Sequence, residues 1–460
     1  MTVTTPRYKR IGIVGGGPAG VAAYKAILSE PARFELVDLY ERRDQLGGLW
    51  YYSGDKSSRR PQVPSTNPEA FDLINGSKGE FFSPMYKYLE TNLISSMMEY
   101  RDVHFPESTA TFPPRQEVLR YIQQYAETVP GSPNATIHYN SNVTEAKKEN
   151  DVWQLTIQSN GETQTKSYDA MIVANGHFDI PFIPDVEGLK EWSMKNTDSV
   201  THAKYFDSSA EYRNKTVLVI GDYASGTDIA TQISVTAEKV YVSVKDLQSE
   251  SDIDRVATRI GLITKYDYND DRSVHTIDNE RINDIDVIIF CTGYLYSIPF
   301  LHKYLPNLIT DGNQVNDLYK QMFYFPDPSL SLVALPKFVI PMPIAEAQSS
   351  IIARYYSGRL ELPSTAEMQA AYEQELAEKG AGKTFHNLQF PADVEYANQL
   401  LAWIVDTGLD SRGLLPPLWD EERVANRKNT KALKSKRLDK IIDYTKQLRT
   451  EGKEFELAPN

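Results

Sequence analysis

The residues whose types and spacing could do chemistry in this chain are two sets of glycines and one acid. In GGGPAG, Gly15, Gly17 and Gly20 form a G-x-G-x-x-G with Pro18 and Ala19 inside it. Between a strand and a helix, the first glycine permits a tight turn and the second lets backbone approach a pyrophosphate. The third lets the helix pack close to the sheet. The helix N-terminus then offers N–H groups and a positive dipole end to phosphates. Glu41 closes the run FELVDLYE, about twenty residues further on, where an acid takes the ribose. A carboxylate suits a free 2′-hydroxyl and repels a 2′-phosphate, so this turn wants FAD or NAD. In GDYASGTD, Gly221 and Gly226 keep the first and third glycines, followed by Asp228, but Tyr223 replaces the middle one beside Ala224 and Ser225. Two outcomes stay open: the ring swings out and lines the nucleotide, or it pushes the phosphates away. The next run, KVYVSVK, ends without an acid. Ser243 and Lys245 stand where a 2′-phosphate is expected, and the lysine favours NADP although Asp246 opposes it.

Other catalytic devices are absent. There is no G-x-S-x-G elbow, and the 7 histidines (His104, His138, His177, His202, His275, His302, His386) show no metal-ligand spacing, so no metal is expected. The single cysteine, Cys291, excludes an intrachain disulfide or Cys-x-x-Cys redox pair and fits a reducing, cytoplasmic compartment.

The elements that must position these turns are short apolar runs before glycine: IGIVG (11–15), DAMIVANG (169–176), TVLVIG (216–221) and DVIIFCTG (286–293). Such runs are the mark of buried parallel strands. The expected fold is α/β with two dinucleotide-binding, Rossmann-like domains, the second inserted in the first. Its boundaries are 1–177 for the first part of one domain, 178–295 for the insert, and 296–460 for the remainder with a C-terminal helical segment. The proline-bearing FDIPFIPDVEG (178–188) and SIPF (297–300) read as crossover linkers, since proline cannot continue a strand interior. A Lys/Arg-rich stretch (423–449), apolar at Leu433, Leu438, Ile441, Ile442 and Leu448, is either a terminal amphipathic helix packed on the body or a membrane or partner contact. With 460 residues, 41% hydrophobic, the chain can bury real cores. A net charge of −13 argues against nucleic acid as a partner. No apolar stretch reaches the length of about eighteen residues that a membrane span needs.

After Glu41 comes RRDQLGGLWYY, and a fingerprint strand followed by E-R and then G-G-x-W resembles the FAD domain of flavin-containing monooxygenases. PSTNP (64–68), SPMYKYLETN (83–92), FPPRQEVLRYIQQYA (112–126), ANGHF (174–178) and CTGY (291–294) resemble that family in order and spacing, over nearly the whole chain. The resemblance, nearest to the compact soluble fungal members, implies FAD on the first turn and NADP(H) on the second. It implies an oxygen transfer from a C4a-hydroperoxyflavin to a soft nitrogen or sulfur nucleophile, with a small-molecule substrate and O2 as partners. It places Gly48, Leu49 and Trp50 near the flavin, where a buried tryptophan at a domain seam is the plainer reading of Trp50. It makes Asn92 the active-site asparagine, next to Thr91, pinning the nicotinamide nucleotide; capping a turn after YKYLET is the alternative. It sets Phe178 against NADP(H), with simple packing as the other reading. The linker signature F-x-G-x-x-x-H-x-x-x-Y/F keeps His202 and Phe206 but has Asn196 and Asp198 for its first two members. Phe206-Asp207 in place of the Trp-Pro of Baeyer–Villiger relatives favours N- or S-oxygenation. Two rivals remain: an uncoupled NADPH oxidase releasing hydrogen peroxide, and a flavin-binding protein with an inactive NADP site. A homo-oligomer is compatible with the sequence.

Overall fold

The computed structural model describes residues 5–54, 56, 59–70, 81–408 and 412–459. They form two compact units. The first comprises Met1–Tyr51, Leu93–His177 and Tyr296–Asn429, and the second Tyr52–Asn92, Phe178–Leu295 and Thr430–Asn460. Two segments that chain order alone leaves in the first domain, 52–92 and 430–460, therefore group with the insert.

The first unit is organised by a sheet in the order Leu318–Tyr319, Phe323–Tyr324, Leu330–Leu332, Ala170–Val173, Arg10–Val14, Leu36–Tyr40, Ala135–His138. The last five run parallel, with Ile11 opposite Val37 and Val14 opposite Val173. Their near-continuous apolar composition follows from burial on both faces. Ile11, Ile13, Val37 and Leu39 enter one core together with side chains of helices Pro18–Ser29 and Pro341–Tyr356. Val14, Tyr40, Met171 and Val173 enter another, with Trp153, Leu155 and Ile157 of an antiparallel sheet (Ser141–Glu149, Val152–Ser159, Glu162–Tyr168). Each such side chain is worth about 1.5–3 kcal/mol on burial.

The second unit repeats the plan. Its parallel sheet runs Thr258–Ile260, Lys239–Ser243, Thr216–Ile220, Val287–Phe290, Val200–His202. Helix Ala224–Ile233 covers one face through Ile229, Ala230 and Ile233. Trp192, Tyr266 and Val274 fill the core on Leu218, Ile288 and Phe290. The first linker contains a two-residue strand, Ile180–Pro181, which pairs antiparallel with Tyr294–Leu295 just ahead of the second linker. Proline is tolerated there because the strand is an edge. The apolar residues of the C-terminal helix, Ile441 and Leu448, pack with Val235, Phe455 and Ala458 of the same unit. Of the two readings of that stretch, packing on the body is the one observed. Among the described residues no helix is long and apolar enough to cross a membrane.

Candidate functional site

In the first unit, strand Arg10–Val14 turns at Gly15, whose φ of 109° favours glycine. A side chain there would meet the Ala174 carbonyl oxygen at 2.3 Å, and one at Gly20 would meet the Gly15 carbonyl oxygen at 1.7 Å. Gly17 is different. Its φ of −77° suits any residue, but its Cβ would stand 3.4 Å from the Cα of Gly48. A second glycine loop therefore presses on the first, with Gly47 and Gly48 at φ 131° and 55°. The Gly47 N–H donates to the Gly16 carbonyl at 3.0 Å, and the Arg43 guanidinium holds the Gly48 carbonyl. Leu49 and Trp50 complete the turn Gly48–Trp50, both half-buried, with Trp50 against the unit's own core.

No side chain caps helix Pro18–Ser29, and Pro18 fills its first turn, so the N-terminal amides of Ala19 and Gly20 suit an anion. Glu41, only 4% exposed, accepts from the Gly16 N–H at 2.7 Å and from the Arg43 N–H at 2.8 Å. Those two bonds fix its carboxylate at the carboxyl end of the second strand while lone pairs remain for hydroxyl donors. This is a cradle fit for a dinucleotide with a free ribose.

The second unit repeats the frame. Gly221 has φ 99°, and a Cβ on Gly226 would meet the Gly221 carbonyl oxygen at 1.9 Å. Tyr223 has φ −74° and ψ −173°, against −77° and −174° at Gly17. Each residue's carbonyl accepts the first helical N–H, from Thr227 and Val21 respectively, at 3.0 Å. Tyr223 is 69% exposed, so the bulky ring costs the turn nothing. Ala224 is half-buried and Ser225 exposed at the uncapped start of the helix. The Gly221 N–H donates to the Ser243 carbonyl at 3.0 Å.

Two expected contacts are engaged elsewhere. Ser243, 2% exposed, donates its hydroxyl to the Gly261 carbonyl at 3.0 Å, because the strand pleat turns it inward; Lys245 lies beyond the strand and is exposed. Asp228 accepts from the Tyr86 hydroxyl and, at 3.2 Å, from Gln232 Nε2. Burial raises the pKa of Asp228, against Lys434 and those two donors. Thr91 is buried and Asn92 exposed. Phe178, 38% exposed, sets its ring edge-on to Tyr294 at 5.4 Å.

His177, His202 and Cys291 are not poised for acid–base or thiolate chemistry. Burial depresses His177 and His202 to about 3, and it pushes the Cys291 thiol up to about 12. His202 donates from Nε2 to the Gly293 carbonyl at 3.0 Å and accepts the Lys204 N–H on Nδ1, which makes it a tie to the backbone just before Tyr294–Leu295. Arg43, Gly16 and Gly47 were missed by the fingerprint, although GGGPAG carries Gly16 and E-R-R followed by G-G carries the other two. Glu90, Lys434 and Arg437, described below, had no local signal.

Residues 75–251 and 267–407 match the family described as flavin-binding monooxygenase-like, and 13–72 match an NAD(P)-binding Rossmann-like domain. The chain belongs to the flavin-binding monooxygenase-like family. Membership, with its NAD(P)-binding domain, implies FAD and NADPH as cofactors. The chain is 28% identical to a thiol-specific monooxygenase of Saccharomyces cerevisiae, covering 96% of each. It is 27% identical to the flavin-containing monooxygenase ustF2 of Aspergillus flavus, covering 94% of this chain and 99% of that one. The solved S-allyl-L-cysteine S-oxygenase from Allium sativum shares its fold with a TM-score of 0.77 at 24% identity, covering 98% of this chain and 99% of that one.

Proposed function

We propose that this monooxygenase uses NADPH and O2 to place one oxygen atom on a soft sulfur or nitrogen nucleophile, releasing NADP+ and water. The observation that carries the reading is the pair of strand–turn–helix frames with matching backbone torsions, both built for a pyrophosphate. The assigned roles are FAD on Gly15, Gly17, Pro18, Ala19, Gly20, Glu41, Gly48, Leu49 and Trp50, and NADP(H) on Gly221, Tyr223, Ala224, Ser225, Gly226 and Lys245. Bound FAD supplies oxygen activation and NADPH the two electrons. The chain's own residues bind and orient: helix N-termini hold phosphates, Glu41 holds ribose hydroxyls, and Asn92 both donates to and accepts from the nicotinamide nucleotide. Thr91 and Phe178 flank that nucleotide. Ser243 contributes its carbonyl to the turn, and Asp228 anchors the helix behind it. The thiol-specific yeast relative favours sulfur as the first substrate class to try. The cytoplasm is the compartment that a lone reduced cysteine suits.

The test compares NADPH consumed, peroxide released and oxygenated product formed, with thiols and amines supplied in turn. Product formed in step with NADPH consumption is expected for at least one nucleophile. Conversion of all consumed NADPH into peroxide with every nucleophile would sink the proposal in favour of an oxidase. Under anaerobic conditions NADPH should bleach the flavin; a flavin that stays yellow would mean an inactive NADP site.

A further inference from the structure

In the second unit, the stretch that ends on Asn92 is pinned at nearly every step except at Asn92 itself. Tyr86 donates to Asp228, and the Tyr88 carbonyl accepts from Gln232 Nε2 at 3.2 Å. Glu90, 6% exposed, accepts from Arg437 Nε at 3.0 Å, from Arg437 Nη2 at 2.6 Å and from Lys434 Nζ at 3.1 Å. Lys434 Nζ also donates to the Thr91 carbonyl at 2.9 Å. Arg437 also donates from Nη2 to the Ala458 carbonyl and from Nη1 to the Pro459 carbonyl, each at 2.7 Å. Asn92 is exposed, and among the described residues no hydrogen bond holds its amide. Its position is therefore set by the backbone that precedes it.

We propose that Glu90, Arg437 and Lys434 are positioning residues that fix Asn92 for the reaction from the C-terminal helix. A buried carboxylate–guanidinium pair is a poor route to stability, because desolvation offsets most of the attraction. What a forked, bidentate pair does supply is a fixed geometry. The planar fork grips Glu90, the lysine grips the next carbonyl, and the asparagine amide is left to meet a ligand. The inference rests on the reading that Asn92 serves the oxygenation.

The experiment uses the FAD-loaded full chain. Glu90→Gln combined with Arg437→Met removes both charges of the pair at once and leaves Lys434, the more exposed cation, on the Thr91 carbonyl. FAD per chain and thermal melting check that the fold survives. Peroxide released per NADPH in the presence of a thiol should rise several-fold, and product kcat should fall about tenfold with thiol KM little changed. On an Asn92→Ala background the same pair should add less than about twofold, because residues acting through one group are not additive. Arg437→Lys, which keeps the charge but loses the fork, should fall between. Unchanged coupling in a folded variant, or the full effect repeated on Asn92→Ala, overturns the proposal. An Asn92→Ala protein that oxygenates normally removes the reading beneath it, and that single variant tells the two failures apart. If the double variant does not retain FAD, Lys434→Met removes only the less buried grip; normal coupling there likewise overturns the proposal.

Discussion

Gly17 and Tyr223 share one backbone conformation while carrying the smallest and one of the largest side chains. The middle fingerprint glycine is therefore not a demand of the turn. In the first unit a Cβ on Gly17 would stand 3.4 Å from the Cα of Gly48, an ordinary contact. At Tyr223 the ring stands 69% exposed. The outer glycines are demanded by geometry, since Gly221 sits at φ 99° with the Cys291 carbonyl oxygen 3.1 Å from any added Cβ. Tyr223→Gly is expected to leave the NADP+ dissociation constant within about threefold, whereas Gly221→Ala should weaken it about tenfold or more, from strain of about 1–3 kcal/mol. Titration of NADP+ into both variants measures this. A marked loss in Tyr223→Gly would instead reveal the ring as a working contact.

Helix Pro341–Tyr356 is buried along almost its whole length, although its sequence carries Glu346, Gln348 and Arg354. All three side chains find partners: Gln348 accepts the Ala334 N–H at 2.8 Å, and Arg354 donates to the Ser350 and Arg412 carbonyls, each at 2.9 Å. Glu346 accepts from the Tyr125 hydroxyl and the Arg101 N–H, each at 2.7 Å. Burial raises its pKa to about 7, against the pull of those donors and of Lys25. A carboxyl whose folded pKa lies above its unfolded value holds more protons when folded. Its contribution is complete below the unfolded pKa of about 4.5 and is lost as pH rises towards 7. Glu346→Gln copies the neutral acid, with its amide oxygen towards Arg101 and its NH2 towards the Tyr125 oxygen. The variant should match the parent near pH 5 and exceed it at pH 8 by roughly 1–3 kcal/mol, read from denaturant unfolding at the two values. Parent stability that does not fall relative to the variant across that window would show Glu346 to be ionised throughout.

At the scale of the molecule, the strands before glycine, both nucleotide turns and the acid on the second strand were legible because each is local: a few residues fix the conformation and the contact. The recruitment of 52–92 and 430–460 into the second unit was not legible. It rests on pairs such as Tyr86–Asp228, separated by 142 positions, and on Arg449, whose guanidinium donates to the Ala237 carbonyl at 2.7 Å. No periodicity announces such partners. Ser243 ends its strand and Asp228 lies on the helix after its turn, but which way each side chain turns is decided by packing. Each unit has its own sheet, its own cores and its own uncapped nucleotide helix, so each cofactor should stabilise the unit that holds it. A ligand present at about a hundred times its dissociation constant adds about 2.7 kcal/mol, which slows by about a hundredfold the exchange of amides that open only with their unit. FAD should protect Arg10–Val14 and Leu36–Tyr40, and NADP+ should protect Thr216–Ile220 and Lys239–Ser243, when peptides are followed by hydrogen exchange. Protection of the first pair by NADP+, with the second pair unmoved, would reverse the assignment of cofactors to turns. That outcome would make Glu41, not Lys245, the residue that meets the nicotinamide nucleotide's ribose.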